Sequence, residues 1–406
     1  MQCYIEFMLF GPLVCFALGS WQQSTANEWV RVRVDVQDVA TLDRLANSAY
    51  NVLNCVPVLG HDDVVLPISQ LPKLAEDGYT YQVVGKVEDP RNWQARHSTH
   101  VSRITDDYRY HYYNADQILE FYETLRTEYP QVISRKSIGT TIKGETMWAY
   151  RFKPTGPAIN PPNNIVIQSL IHAREWITGA SVMHIARKLA ELYSGPLLNS
   201  SMASQAVWII PMANPDGYRY TWTNDRYWRK NRRKNSGSSY GVDLNRNYAK
   251  GWGGSGGSSG NGNSETYRGT AAFSEPETVA IRDFLGTLPR VRGFIDYHSF
   301  SQLILQPWGY TTAPAPDQAT LDFIGGELQT KMSAFGADYE HGETSNILYV
   351  ASGTSNDWVY DTYRAPALGI ELRDTGDFGF ELPESQIYVS QDEVWAGFRR
   401  YLDFTG

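Results

Sequence analysis

A chain of 406 residues, 42% hydrophobic and 20% charged, has the make-up of a globular protein and is long enough for two or three structural units. Its formal net charge of −8 excludes the basic balance that a dedicated nucleic-acid binder uses to pair with phosphates. Cys3, Cys15 and Cys55 are its three cysteines, so nothing beyond residue 55 forms a disulfide or a thiolate metal site, and any metal there must be held by His and carboxylates.

In chain order, Phe7–Leu18 is an apolar run of signal-core length, followed by Ala17-Leu18-Gly19 before Ser20. Small residues thus precede a cleavage point, although the first residues carry Glu6 and no Lys or Arg. We read 1–19 as a signal peptide and expect a secreted, extracellular protein. No later stretch reaches the roughly 20 apolar residues of a membrane span, so no membrane partner is expected.

Residues 28–87 read as a small α/β unit. WVRVRVDV (29–36) alternates as a half-buried strand does, and 38–50 carries Val39, Leu42 and Leu45 on one helical face. Short strands near 52–56 and 64–66, a helix near 71–76 and a strand near 79–84 complete a β-α-β-β-α-β order, the ferredoxin-like arrangement. Residues 88–110 lose periodicity and scatter Arg91, Arg96, Arg103 and Arg109, as an exposed, cleavable linker does.

From about Tyr112 the pattern becomes a long α/β alternation. Asn114 is placed to cap a helix bearing Ile118, Phe121, Tyr122 and Leu125. Apolar runs at 164–171, 207–211, 293–297 and 367–372 read as buried strands, with helices at 175–193, 275–285, 317–335 and 384–404. This predicts an α/β fold, a mostly parallel mixed sheet with helices on both faces, whose ligands sit beyond the carboxyl ends of the strands. GWGGSGGSSGNG (251–262) reads as a flexible surface loop.

Chemistry-bearing residues gather at those strand ends. His172-x-x-Glu175 follows the strand IVIQSLI, and His298 ends GFIDYH. Two imidazoles and a carboxylate are a known catalytic zinc set with a fourth position for water. Taken alone, the spacing fits equally well a structural histidine and a helix N-terminal carboxylate. Glu371 ends LGIEL, and by itself is also compatible with pairing to Arg373. The basic run 226–234 reads as an anion patch or a solvated loop, and His184 as a packing or surface residue. Asn199-Ser-Ser is a glycosylation sequon, relevant to a eukaryotic secretory route.

HAREW (172–176), WRKNRR (228–233), DLNRN (243–247), DYHSFSQL (296–303) and IELRDTG (370–376) together resemble the carboxypeptidase A/B family of zinc peptidases, a likeness that runs from about 110 to 404. Residues 28–87 are similar to that family's inhibitory pro-segment. The resemblance implies a zymogen with a ferredoxin-like pro-domain at 20–90, an activation linker at 91–111 and a catalytic domain at 112–406. It implies one zinc ion on His172, Glu175 and His298, with Asp243 orienting His172. Zinc-bound water would attack with Glu371 as general base, and Arg229 would stabilise the oxyanion, with Arg226 also assigned to the cleft and the remaining cations of 226–234 facing solvent.

Asn245 and Arg246 would clamp the substrate's terminal carboxylate, Tyr349 would close over it, and Arg174 would contact residues further from the scissile bond. Partners implied are peptide or protein C-termini and an activating protease cutting within 88–110, for a chain acting as a monomer. Asn356 falls where A-type enzymes carry an apolar and B-type enzymes an acidic residue. With Thr344, Thr354, Asp296 and Gly369 lining or bordering the pocket, it points to an A-like preference for neutral C-terminal residues, apolar or polar.

Overall fold

The computed structural model describes residues 28–46, 48, 50–53, 60–89, 107–155, 163–195, 198, 200–254 and 256–406. The leader at 1–19, the three cysteines, the sequon asparagine and most of the 91–111 linker lie outside the described residues.

The first unit is a four-stranded antiparallel sheet of order β2-β3-β1-β4. Its elements are β1 Trp29–Val36, α1 Val39–Ala46, β2 Asn51–Val52, β3 Gly60–Pro67, α2 Leu71–Glu76 and β4 Tyr81–Val87. The alternation in β1 works as expected. Val30, Val32, Val34 and Val36 are buried with Leu45, Val64, Leu66 and Leu74, while Arg31 and Arg33 on the other face both bond Asp63. That pairing explains why β3 exceeds the expected 64–66: Asp62 and Asp63 hide a strand that their hydrogen bonds complete.

The second unit is built on an eight-stranded mixed sheet of order β11-β10-β12-β9-β7-β8-β6-β5. The four runs read from the sequence are its centre: β7 Asn163–Gln168, β8 Gln205–Ile210, β9 Val291–Ser299 and β12 Ala367–Leu372, paired in parallel. Every residue of β7, β8 and β12 is buried, the mark of strands covered on both sides. Side chains alternate between two cores. Ile165, Ile167, Val207, Ile209, Ile295, Tyr297, Leu368 and Ile370 enter one with α3 Ala115–Glu128, α4 Trp176–Ser194, α7 Gln318–Ser333 and α9 Ile387–Thr405. Val166, Trp208, Phe294 and Ala367 enter the other with α6 Pro276–Gly286 and α8 Ser355–Tyr363; α5 Pro215–Thr223 lies between α4 and this region in sequence.

The outer strands β5 Ile133–Thr140, β6 Thr146–Phe152, β10 Leu303–Gln306 and β11 Glu340–Glu343 were not expected. β5 is a sheet edge exposed along most of its length, and β11 is a polar four-residue strand, so neither has an apolar period to read. The C-terminal end of the stretch read as a linker makes contacts of its own. Arg109 bonds Gln391 and the Asp392 carboxylate, and Tyr112 donates to Leu382 O at 2.7 Å, so 107–113 is packed on the larger unit. Among the described residues, no helix is long and apolar enough to cross a membrane.

Candidate metal centre and substrate cleft

The chain leaves β7 at Gln168 and turns at Leu170, a buried residue in the left-handed region (φ 56°). A non-glycine residue there is costly, and such outliers gather at functional sites. The turn delivers His172, after which Glu175 takes the N-cap position of α4 without a side-chain capping bond. A capping side chain typically adds about 1 kcal/mol, and this helix forgoes it so that the Glu175 carboxylate faces His172 and His298.

His172 Nδ1 lies 2.8 Å from Glu175 Oε1, and His298 Nδ1 lies 3.2 Å from Glu175 Oε2 and 3.1 Å from His172 Nδ1. All three side chains are buried, with ligand atoms within 4.8 Å of one another. A tetrahedral zinc bound at about 2.0–2.1 Å needs donor nitrogens roughly 3.3 Å apart, so the two Nδ1 atoms fit one ion. Burial works to raise the Glu175 carboxyl, but the charges and hydrogen bonds of His172 and His298 outweigh it and hold it well below the usual carboxylate range.

Each histidine turns its other nitrogen to a second carboxylate. His172 Nε2 is 3.2 Å from Asp243 Oδ1, and His298 Nε2 is 3.3 Å from Asp296 Oδ2. Asp243 caps the short turn Leu244–Arg246 by accepting from Asn245 N, and it also accepts from Arg229 Nη2 at 2.9 Å and Nε at 3.2 Å. Burial would raise its carboxyl, but Arg229, Arg246 and His172 pull it well below 3.8. One carboxylate therefore orients both an expected ligand and the expected oxyanion cation. The backbone also holds the Arg229 loop in place: Ala173 N donates to Arg229 O at 2.9 Å, and Asn214 Nδ2 bonds Ile171 O and Lys230 O.

Glu371 arrives by strand register. β12 runs parallel to β9 with Glu371 opposite His298, and both leave the face opposite to the core containing Tyr297 and Ile370. Burial pushes its carboxyl up to about 8, against the pull of His298 and Arg229. The alternative of pairing with Arg373 is not realised, since Arg373 bonds Glu393.

The cleft beside these groups is lined by Asn245, Arg246, Tyr349, Leu305, Thr344, Leu348, Ala351, Thr354, Asn356 and Gly369 as well as His172, Arg229, His298 and Glu371. Arg246 Nη2 reaches Tyr349 OH at 3.4 Å, and Arg246 Nε donates to Gly257 O at 2.6 Å. The glycine-rich stretch thus holds a lining residue of the cleft from behind. Gly257 has φ +73°, and a Cβ there would meet Val350 O at 2.2 Å. Its glycines serve close approach, which composition alone presents as slack.

Arg174 stands apart from this cleft. Its guanidinium donates to Val52 O at 3.0 Å, lies over the Phe380 ring at 4.3 Å and sits 3.8 Å from Glu265. Around it, Leu53 and Val65 of the small unit pack on Tyr227 and Phe380.

Asp296 borders the cleft, beside Gly369 and beneath His298. Two expectations need correction. Arg226, provisionally assigned to the cleft, is buried structural scaffolding, donating to Arg174 O and Phe380 O above the Trp176 ring. Of the cations beyond Arg229, Lys234 faces solvent as expected, but Lys230 is buried on Gly262 O and Ser264 O, Arg232 stacks on Tyr220 and Trp228, and Arg233 pairs with Glu275.

A family model described as zinc carboxypeptidase matches residues 118–397. Mouse carboxypeptidase A4 is 36% identical over 414 aligned residues, covering 98% of this chain and 97% of that protein. Rat carboxypeptidase A1 is 39% identical over 305 residues, covering 74% and 72%. Among solved structures, thrombin activatable fibrinolysis inhibitor superposes with a TM-score of 0.83 at 28% identity, over 93% of this chain and 99% of that one. Carboxypeptidase A from Helicoverpa armigera does so with a TM-score of 0.75 at 26% identity, over 93% and 97%.

Proposed function

The chain belongs to the zinc carboxypeptidase family and is a metallocarboxypeptidase, and from that premise we propose that it is a secreted zymogen whose large unit removes neutral C-terminal residues from peptides. The observation that carries this reading is the meeting of His172, Glu175 and His298 around one point, with Glu371 held opposite His298 by strand register.

In this reading His172 and His298, through Nδ1, and the Glu175 carboxylate hold zinc. When bound, zinc supplies Lewis-acid polarisation of a carbonyl and acidifies water. Glu371 takes the proton from the attacking water and returns it to the leaving amine. Arg229, oriented by Asp243, faces the charge that develops on the carbonyl oxygen, where a fixed cation is a large favourable term. Asn245, Arg246 and Tyr349 hold the terminal carboxylate, and a substrate lacking it leaves that clamp unpaired. Asn356 and Thr354 give the pocket a neutral polar floor beside Leu305 and Ala351, which supports an A-like preference in which polar side chains are accepted.

We assign residues 1–19 to a signal peptide, 20–90 to the pro-domain, 91–111 to the activation linker and 112–406 to the catalytic domain. The small unit takes up Arg174, the group assigned to residues further from the scissile bond, while the described residues that line the metal cleft belong to the large unit. The test is release of C-terminal residues from a peptide panel by linker-cleaved protein, with and without a chelator and with zinc restored. Release of phenylalanine, leucine or glutamine that a chelator stops and zinc restores is the expected result. Preferential release of lysine or arginine would overturn the A-like assignment, and release that survives metal removal would overturn the mechanism.

A further inference from the structure

One buried carboxylate near the cleft has no part in the scheme above. β7, β9 and β12 set Gln168, Asp296 and Gly369 side by side, and Asp296 lies two residues before His298 on the same strand face. Asp296 is 1% exposed. Its Oδ2 accepts from Gln168 Nε2 at 2.8 Å and from Ser355 Oγ at 2.5 Å, and lies 3.3 Å from His298 Nε2.

The other polar group near that nitrogen is Asn245 Nδ2, also at 3.3 Å. The Asn245 amide is oriented by its own oxygen, which accepts from Ser355 N at 2.8 Å. It therefore presents N–H donors to His298 and cannot accept a proton from it. Among the described residues, Asp296 is the acceptor in place for His298 Nε2–H. An imidazole that donates from Nε2 keeps the electron pair of Nδ1, the atom that faces Glu175 and His172.

We propose that Asp296 is a positioning residue for the metal centre: it fixes the His298 tautomer and ring angle from beneath, as Asp243 does for His172. Through Ser355, the first residue of α8, the same carboxylate also ties His298 to the segment that carries Asn356 in the pocket. This inference rests on the metal-site reading above. Outer carboxylates of this kind typically change metal affinity by about 10- to 100-fold when replaced.

The experiment measures zinc affinity of the full chain by competition with a chelator, alongside the unfolding midpoint of the metal-free form, for the parent, Asp296→Asn and Ser355→Ala. Asp296→Asn is expected to weaken zinc binding by at least about tenfold with the metal-free midpoint unchanged or raised. Ser355→Ala, which only loosens Asp296, is expected to weaken it by about threefold or more, and it decides the matter if Asp296→Asn does not fold. Zinc affinity within twofold of the parent in the folded variants would overturn the proposal while leaving the metal site intact. A parallel fall in affinity and metal-free midpoint would make Asp296 a general structural residue and overturn it as well. A parent that binds no zinc removes the metal site itself, and the proposal with it.

Discussion

At the scale of residues, the division of labour between Glu175 and Glu371 follows from their surroundings. Both are buried carboxylates, but the two histidines hold Glu175 ionised, whereas burial leaves Glu371 at about 8. Glu371→Gln is expected to lower kcat by roughly 10²- to 10⁴-fold while zinc content, read by metal analysis, stays at one ion per chain. A raised carboxyl also carries a sign in stability. In the chelated protein, folded Glu371 keeps its proton up to about pH 8, while the unfolded chain loses it near 4.5. Unfolding therefore releases a proton between these limits, and stability falls as pH rises through the window. Thermal midpoints of metal-free parent and Glu371→Gln should converge near pH 4.5 and separate toward pH 8, with the variant the more stable. Strand ends placed the motif residues on one rim, and the resemblance of five motifs to a known family gave them their expected roles. Lys230, Arg232 and Arg233 were not legible, since nothing in a run of cations tells which find partners such as Gly262 O, Tyr220 or Glu275.

At the scale of elements, the buried strands and the longer helices could be read, and the edges could not. β12 matches its expected bounds because five apolar or small residues around Glu371, directly after Pro366, admit little else, whereas polar β11 is a strand only through its pairing with β10. The helix start at Asn114 is a full capping box: Asn114 Oδ1 accepts from Gln117 N, and Gln117 Oε1 accepts from Asn114 N. Asn114→Ala should lower the unfolding free energy by about 1 kcal/mol, within roughly 0.5–2, and leave kcat/KM unchanged, which denaturant titration and a peptide assay would check. Inside α4, His184 packs against Tyr108, and burial drives its imidazole down to about 3, with Arg109 and Lys188 adding to the shift. Its folded pKa lies below the unfolded value, so its contribution is present above about 6.5 and is lost as pH falls toward 3. His184→Gln should flatten the acid limb of a stability-against-pH curve, and an unchanged limb would contradict this assignment.

At the scale of the molecule, two units meet where Leu53 and Val65 pack on Tyr227 and Phe380 and where Val52 O engages Arg174. Because the described residues lining the cleft around Glu371 belong to the large unit, the small unit is expected to hinder long substrates more than short ones. Proteolysis of the linker should raise kcat/KM for a hexapeptide far more than for a blocked dipeptide, and equal gains would contradict this reading of the seam. Leu53→Asp, which places a charge in the buried seam, should raise hexapeptide turnover by the uncut chain.

The parallel alignment of β9 and β12 carries a further consequence. Because Glu371 faces His298 across it, sliding β12 by one position would substitute Ile370 or Leu372 and turn the base into the hydrocarbon interior. An errantly threaded molecule is therefore silent, with no route to a slower or less selective catalyst. Recovered specific activity after renaturation thus counts correctly threaded molecules, and ageing of a preparation should reduce its yield while the preference of the survivors stays constant.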